Sequence, residues 1–311
     1  MSLIEYVLER SNFRYRHETW SCDDTCSFSK YCPQDCEKCL EYVHFPSHLP
    51  TGAPRRRYDC HHMADFYVCK YSYRYTSEII YALKRLRLLH QRNTLNVLSF
   101  GCGPCTELFA LDCLLSSGEL SVGKINYRGI DCEKNVWANI HSDIKNYTEN
   151  TSEKITAKFY YRDMCEIIKE ISDGSWLPDL VVFQYVFSDM AKNIPAENIR
   201  NFIHIFSEFF NTKMEIDSCI ILNDINLGIN YGGGREYFDQ LHGNLAGTEM
   251  RRGHFRNDNR KGAYYSYGYP YGDDSDGEFQ DNRNLFNLGP WSFYSPYDTC
   301  ASAQMLIAKR V

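Results

Sequence analysis

Short apolar runs alternate with amphipathic stretches through the middle of the chain. Runs of five to eight mostly apolar residues predict buried strands at 95–100, 124–130, 155–161, 180–187 and 218–223. Apolar residues spaced three or four apart predict helices at 107–116, 134–146, 164–171 and 196–210. Because strand–helix–strand units repeat, the pattern predicts an α/β fold: a doubly wound, mostly parallel sheet covered by helices on both faces.

The two ends of the chain lack this alternation. Residues 20–70 show no sustained period and are interrupted by four prolines, and a helix is predicted at 75–89. Residues 228–299 are rich in Gly, Tyr, Asn and Asp, with a short helix predicted at 236–241, and a final strand is predicted at 303–311. We therefore predict a Cys-rich N-terminal module at 1–72 and a main domain at 73–311, with an insertion at about 228–299.

Composition places the protein among ordinary globular chains. Of 311 residues, 43% are hydrophobic and 24% are charged, which is enough apolar material for a large core. No run of about 18 apolar residues occurs, and the first residues carry acidic Glu5 and Glu9 where a secretory signal would be basic. We therefore predict a cytoplasmic protein without a membrane partner, and in that compartment the 14 cysteines favour metal ligation over disulfides.

The turn after the first predicted strand carries the strongest chemical signal. Gly101 and Gly103 in the segment SFGCGPCTE lie between a strand and a helix, where absent side chains let a nucleotide-like cofactor approach the backbone. Asp131 ends the next strand, where a carboxylate can accept both ribose hydroxyls. A dinucleotide fingerprint would place a third glycine at Thr106 and its acid about 20 residues on, so NAD is disfavoured.

In these segments the chain resembles the class I S-adenosylmethionine-dependent methyltransferases, over about residues 95–227. The glycines and Pro104 match the first motif, while Cys105 stands where the family often has Gly. The resemblance implies a seven-stranded sheet, an enzyme, and S-adenosylmethionine as cofactor. It implies contacts from these residues: Gly101, Cys102, Gly103, Pro104, Asp131, Cys132, Asp163, Met164 and Gln184.

The residues alone leave two roles open: that of Asp163 and that of the catalytic residues. The resemblance places Asp163 on the adenine amino group, with Met164 packed on the ring, but Asp163 could equally cap the helix that follows. Methyl transfer depends mainly on holding the acceptor in line with the methyl group, so no signature catalytic residue is expected. Candidates for the acceptor pocket are Gln184, Tyr185, Asp189, Asn223 and Asp224.

The N-terminal cysteines predict a structural metal site. Thiolates are the ligands that zinc prefers in structural sites, and a metal would hold together a proline-interrupted segment. The candidate ligands are Cys22, Cys26, Cys32, Cys36, Cys39 and Cys60. The spacing C-x3-C-x2-C at 32–39 also resembles the loop of radical S-adenosylmethionine enzymes, which keeps an iron–sulfur cluster as an alternative.

The sequence indicates the methyl acceptor less clearly than it indicates the cofactor. A metal-bound, mildly basic module carrying Arg55, Arg56 and Arg57, together with Lys84, Arg85 and Arg87, favours structured RNA such as tRNA or rRNA. The alternative is a small molecule or protein enclosed by the Tyr-rich insertion. A further alternative is a non-catalytic, metal-stabilised assembly factor.

Overall fold

A single mixed β-sheet runs through the structure, which is a computed structural model describing residues 1–17, 26–86, 92–255, 278–279, 282–288 and 294–311. The strands lie in the order β3-β2-β1-β4-β5-β8-β6-β7. Strands β1 to β5 are parallel, β8 is antiparallel to both β5 and β6, and the two-residue β7 pairs in parallel with β6. The bounds are β1 Thr94–Phe100, β2 Lys124–Asp131, β3 Ile155–Tyr161, β4 Leu180–Gln184, β5 Cys219–Ile225, β6 Thr248–Phe255, β7 Glu278–Phe279 and β8 Ser302–Lys309.

Helices cover both faces of the sheet. Alternate residues of the central strands point to opposite faces, so that Val97 joins one apolar cluster and Leu98 the other. One face is covered by α1, α3, α4 and α5, and the other by α6, α7, α8 and α9. The bounds are α1 Leu3–His17, α2 Cys36–His44, α3 His61–Arg85, α4 Thr106–Ser116, α5 Lys134–Asn150, α6 Met164–Asp173, α7 Val186–Asn193, α8 Ala196–Lys213 and α9 Glu236–Gly243.

This architecture confirms the fold class predicted from the sequence. Seven strands of five or more residues form a doubly wound, mostly parallel sheet, to which β7 adds a short edge. The sheet is open within the described residues. No described helix is both long and apolar enough to cross a membrane.

The N-terminal region packs directly on the main sheet. Helix α1 contacts α3, α4 and α5, and its Arg14 bridges Asp65 on α3 and Asp143 on α5 at 2.8 and 2.6 Å. Helix α3 runs without interruption through residues 72 and 73, where the sequence placed a domain boundary. The division into two domains therefore stays a prediction, with the boundary inside one continuous helix.

Several predicted bounds need correction. The helix predicted at 75–89 begins at His61 and ends at Arg85, and the strand predicted at 180–187 ends at Gln184, where α7 follows almost at once. Strand β6 was not predicted, since its sequence TEMRRGHF is largely polar and lies near the sheet edge. Part of the predicted insertion, residues 256–277, 280–281 and 289–293, lies outside the described residues.

Candidate active site at the carboxyl ends of the parallel strands

The turn between β1 and α4 is built on backbone conformations that favour glycine. Gly101 has φ +58° and Gly103 has φ +46°, both in the left-handed region. A Cβ on Gly101 would lie 2.9 Å from Cγ2 of Val186, the first residue of α7. The turn is held against β2 because the backbone N–H of Cys102 donates to the carbonyl of Ile130 at 3.0 Å. The sequence prediction of a tight strand–turn–helix unit is therefore confirmed.

Asp131 ends β2 directly beside this turn. Its Oδ2 accepts a hydrogen bond from the backbone N–H of Gly103 at 2.9 Å, and its Oδ1 accepts one from the N–H of Glu133 at 2.9 Å. The side chain is half-buried, and burial raises its pKa to about 6 although the two backbone donors act in the opposite direction. A carboxylate has about four lone-pair positions, so two remain for a ligand.

The other residues of the expected cofactor contact set lie along the same edge. Pro104 is buried within the turn, whereas Cys132 is exposed just after β2. Asp163 is exposed and caps α6, since its Oδ1 accepts from the backbone N–H of Cys165 at 2.8 Å and of Glu166 at 3.2 Å. Met164 is half-buried against the adjacent apolar cluster. The capping role foreseen for Asp163 is present, and its adenine contact stays a prediction.

Beneath the turn lies a cluster of polar side chains that was not predicted from the sequence. Among the described residues, Cys102, Cys105 and His141 form the one group of three potential metal ligands whose ligand atoms all lie within 4.8 Å of one another. Both ring nitrogens of His141 already have partners, with Nε2 2.7 Å from the Gly103 carbonyl and Nδ1 2.8 Å from the Tyr161 hydroxyl. Burial lowers the His141 pKa to about 4, so the ring is neutral at pH 7. These contacts fix the turn from below.

Gln184, the last residue of β4, joins three elements. Its Oε1 accepts from the Thr106 hydroxyl at the start of α4 at 2.6 Å, and its Nε2 donates to the Tyr75 carbonyl in α3 at 2.9 Å. It therefore fixes the distance between the cofactor turn and α3. The sequence identified Gln184 by its position at the strand end, but its partners lie far apart in the chain and were not foreseen.

Tyr185 follows in a left-handed conformation, φ +59°, which turns its ring toward α3. Its hydroxyl donates to Oε2 of Glu78 at 2.9 Å, and Asn223 Nδ2 donates to the same oxygen at 3.0 Å. Glu78 is 0% exposed, and its Oε1 accepts from the backbone N–H of Ala301. Burial raises the Glu78 pKa, with Arg74 opposing that rise. This buried acid was missed because nothing in the helix sequence distinguishes it.

Aromatic side chains form one wall of the site. Tyr67, Tyr71 and Tyr75 are spaced four apart on α3 and therefore share a face. The Tyr75 ring centroid lies 4.2 Å from that of Tyr185, and the Tyr67 centroid lies 5.8 Å from that of Trp137 beside the cofactor turn. We name these residues, with Tyr58, the tyrosine wall: Tyr58, Tyr67, Tyr71, Tyr75 and Tyr185. The repeated Y-x3-Y spacing was the available sequence signal.

The remaining pocket candidates differ in accessibility. Asp189 on α7 is half-buried, and burial raises its pKa while Lys192 opposes the rise. Burial raises the pKa of Tyr58, and the Asp189 and Asp131 carboxylates raise it further. Asp224 is 1% exposed and accepts from the backbone N–H groups of Ser188 and Ile225. Asn223 is equally buried, so a direct acceptor contact from Asn223 or Asp224 stays a prediction.

The described N-terminal cysteines lie in the segment before α2, in the first turn of α2 and just before α3. Cys36 and Cys39 lie in the first turn of α2, and Cys60 immediately precedes α3. Cys26 is buried, with Sγ 4.0 Å from Oδ1 of Asp59, and Cys32 is half-buried. Cys22 lies outside the described residues. No three of the described sulfur atoms of this segment lie within 4.8 Å of one another, so the predicted metal site stays a prediction.

No protein-family model matches the chain, and no curated protein matches it. It is similar to the solved plantazolicin methyltransferase BpumL in complex with SAH, at 12% identity over 98% of this chain and 99% of that one, with a TM-score of 0.42. It is also similar to a possible exported protein from Bordetella parapertussis, at 11% identity over 99% and 95%, TM-score 0.43. MNMC2 from Aquifex aeolicus matches at 15% identity over 66% and 60%, TM-score 0.34. Sequence identities and TM-scores this low carry no information on function.

Proposed function

We propose that this chain is an S-adenosylmethionine-dependent methyltransferase whose cofactor lies across the Gly101–Gly103 turn. One observation carries the proposal: the Asp131 carboxylate ends the strand next to the turn, half-buried, and contacts the backbone N–H of Gly103. This arrangement suits a nucleoside, because the bare backbone admits the ligand while the carboxylate accepts ribose hydroxyls. The same arrangement without a third glycine fits a dinucleotide poorly.

The residues present fit this cofactor. The turn leaves room for a ligand because neither Gly101 nor Gly103 carries a side chain, and Asp131 keeps two lone-pair positions after its backbone bonds. Aromatic faces attract a positive charge placed within about 6 Å of the ring. The tyrosine wall and Trp137 would therefore favour a cationic sulfur over the neutral sulfur of the demethylated product.

The chain's own residues would contribute positioning. Bound S-adenosylmethionine would supply an electrophilic methyl group carried on a positively charged sulfur. Gln184 sets the spacing between the turn and α3, and Glu78 holds the Tyr185 ring. Holding reactants at attack distance can contribute about 7 to 11 kcal/mol to a barrier. Asp189 is the accessible carboxylate placed to take a proton from the acceptor.

We propose a compact acceptor, held against the tyrosine wall, rather than structured RNA. Of the basic residues that favoured RNA, Arg56 is 2% exposed, whereas Arg55, Arg57 and Lys84 are exposed, the last in a surface ion pair with Glu119 at 2.7 Å. Arg85 donates to the carbonyl of Arg252, and Arg87 lies outside the described residues. Phosphate binding needs cations that face solvent. An aromatic wall, in contrast, suits a small or peptide-like ligand with apolar surface.

The test is transfer of tritiated methyl groups from labelled cofactor into a cell extract, separated into small molecules, protein and RNA. We expect label in the small-molecule or peptide fraction. The Asp131→Asn protein should transfer much less of it at a cofactor concentration near the wild-type Kd. Label confined to RNA would refute the compact acceptor. No label in any fraction, combined with no cofactor binding, would refute the enzyme and favour the assembly-factor alternative.

A further inference from the structure

Two cysteines lie at the ends of the turn between β1 and α4. Cys102 and Cys105 are separated by Gly103 and Pro104, which gives the spacing C-x2-C. Their sulfur atoms lie within 4.8 Å of each other, and Cys105 directly precedes α4. Both residues are buried, with 4% and 0% exposure. In proteins this spacing at the start of a helix is typical of a reversible dithiol–disulfide pair.

The backbone of the turn holds the two residues at a separation that a disulfide can span. The N–H of Cys105 donates to the carbonyl of Cys102 at 2.7 Å, which closes a four-residue turn. The Cα atoms at the ends of such a turn lie less than about 7 Å apart, and a disulfide requires about 4.4 to 6.8 Å. A sulfur–sulfur bond of about 2.05 Å therefore needs the two sulfur atoms to approach each other by less than about 3 Å.

Cys105 has a backbone conformation that disfavours any residue with a side chain. Its φ is +64°, in the left-handed region, where a residue with a Cβ atom costs about 1 to 2 kcal/mol. Glycine would avoid this cost, because it adopts positive φ freely. Strained residues of this kind cluster at functional sites. A thiol beside Cys102 is what a glycine at this position could not supply.

The surroundings of the two sulfur atoms suit a disulfide. A Cβ on Gly129 of β2 would lie 2.8 Å from the Cys102 sulfur, so this glycine leaves the space that the sulfur occupies. His141 Nε2 lies 3.9 Å from the same sulfur, and the Cys105 sulfur lies 3.6 Å from the Gly103 carbonyl. Both contacts are weak because a thiol is a poor hydrogen-bond donor. A disulfide has no charge and no donor, so it can replace the thiols without leaving a buried polar group unpaired.

We propose that Cys102 and Cys105 form a reversible disulfide that weakens cofactor binding at this turn. Cys102, the more exposed of the two, attacks one sulfur atom of a low-molecular-weight disulfide such as oxidised glutathione and releases one glutathione thiol. Cys105 then attacks the Cys102 sulfur of the mixed disulfide and releases the second glutathione thiol. The two protons of the cysteines end on the two glutathione molecules, which are reduced as the cysteines are oxidised.

Closure of the disulfide changes the turn at Gly103. Of the two enclosed residues, Pro104 has its φ fixed by its ring, whereas Gly103 adopts either sign of φ. The adjustment therefore falls on Gly103, whose N–H donates to Asp131 Oδ2 at 2.9 Å and whose carbonyl lies 2.7 Å from His141 Nε2. A shift of this N–H changes the position of the Asp131 carboxylate, to which the ribose is proposed to bind. The effect on the cofactor thus rests on the proposed function, whereas the disulfide itself does not.

The first experiment maps the cross-link in full-length protein. Reduced protein is incubated with glutathione of increasing oxidised fraction, free thiols are alkylated, and the chain is cleaved after arginine and glutamate. The fragment 93–107 contains Cys102 and Cys105 and no other cysteine. We expect this fragment to be unalkylated, lighter by two hydrogen atoms and restored by dithiothreitol, both in the wild type and in Cys113→Ser, which replaces a half-buried cysteine of α4. Cys105→Ser should not give it.

The second experiment measures binding of S-adenosylhomocysteine by titration calorimetry before and after oxidation. In the wild type and in Cys113→Ser we expect the Kd to rise at least tenfold on oxidation and to return after reduction. In Cys105→Ser the Kd should not respond to oxidation. S-adenosylhomocysteine at about 100 times its Kd occupies about 99% of the sites and covers the turn, so it should slow formation of the disulfide at least tenfold.

Three results would contradict the proposal, and they differ in what they refute. A fragment 93–107 that stays fully alkylated after incubation of folded protein with oxidised glutathione would refute the disulfide. A complete cross-link with an unchanged Kd would refute its effect on cofactor binding. Failure of both redox forms to bind S-adenosylhomocysteine would refute the proposed function and this effect with it, whereas the mapped cross-link would still establish the redox pair.

Discussion

Replacing Asp131 with Asn tests the cofactor site through a change of one atom and one charge. In the wild type both carboxylate oxygens accept a backbone N–H at 2.9 Å, which leaves two lone-pair positions for ribose hydroxyls. The amide keeps one acceptor oxygen and loses the charge. Hydrogen bonds to charged groups contribute about 1.5 to 3 kcal/mol each, so a loss of about 3 kcal/mol of binding is expected. That corresponds to about a 100-fold rise in Kd.

Folding stability should change much less than binding. Burial raises the Asp131 pKa from 3.8 to about 6, so the ionised carboxylate disfavours the folded state by about 3 kcal/mol at neutral pH. The amide removes that cost, while one of the two backbone bonds is lost at about 1 to 2 kcal/mol. We therefore expect the melting temperature of Asp131→Asn to stay close to the wild-type value or to rise slightly.

The dependence on pH has opposite signs for stability and for binding. Because the folded-state pKa of Asp131 is raised, its contribution to stability is present below about pH 4 and is lost as pH rises through about 6. Cofactor affinity depends on the ionised form, so it should increase about tenfold between pH 5 and pH 7. In Asp131→Asn this increase should be absent.

Titration calorimetry with S-adenosylmethionine and with S-adenosylhomocysteine measures these affinities. The control is Asp173→Asn, the same chemical change at an exposed residue near the end of α6. If Asp131→Asn binds within about threefold of the wild type, while Asp173→Asn also binds normally, the carboxylate does not contact the cofactor and the reasoning fails.

Three further predictions concern the turn, the Glu78–Tyr185 contact and the Arg14 bridge. Gly103→Ala and Gly118→Ala both place a side chain at positive φ, so each should lower the free energy of unfolding by about 1 kcal/mol in denaturant. Only Gly103→Ala should weaken cofactor binding, and equal cofactor affinities of the two variants would refute the turn as the binding site. Tyr185→Phe removes the hydroxyl that donates to Glu78, so kcat should fall at least tenfold with cofactor Kd unchanged, and an unaltered kcat would refute the positioning role. Arg14→Met removes the ion pairs of Arg14 with the buried Asp65 and Asp143 carboxylates, of which Asp143 keeps Arg10, and should cost about 3 kcal/mol in urea unfolding; a cost under about 1 kcal/mol would show that α1 does not depend on this bridge.

The central strands could be predicted because their residues are buried on both faces. Such strands appear as continuous apolar runs: the run at 218–223 was predicted within two residues of the bounds of β5, Cys219–Ile225, six of whose seven residues are buried. Strand β6 could not be found in this way. Its first five positions are exposed or half-buried, and TEMRRGHF lacks both an apolar run and clean alternation.

Helix bounds were less accurate for an identifiable reason. The helix predicted at 75–89 starts 14 residues earlier in the structure, at His61. Its first half, HHMADFYVCKYS, mixes aromatic and polar residues and contacts α1 through Asp65 and α2 through Lys70. Several of its polar residues are buried by those contacts, Asp65 among them, so the exposed polar face that marks a surface helix is absent.

The residues proposed to bind the cofactor could be predicted from the sequence, and those proposed to position the acceptor could not. Gly101, Gly103 and Asp131 lie at strand ends, and position at a strand end can be read from the sequence. Glu78 and Tyr185 meet only because α3 crosses the carboxyl edge of β4, over a separation of 107 residues. Nothing local in either segment indicates that contact.

The structure of the chain with S-adenosylhomocysteine is the most direct test of the central claim. We expect the ribose hydroxyls to lie within hydrogen-bond distance of the Asp131 carboxylate. The ligand should lie over Gly101 and Gly103, with its sulfur atom facing Tyr185. A product molecule bound elsewhere in the protein, or no binding by well-folded protein at millimolar ligand, would contradict the assignment of this turn as a methyltransferase cofactor site.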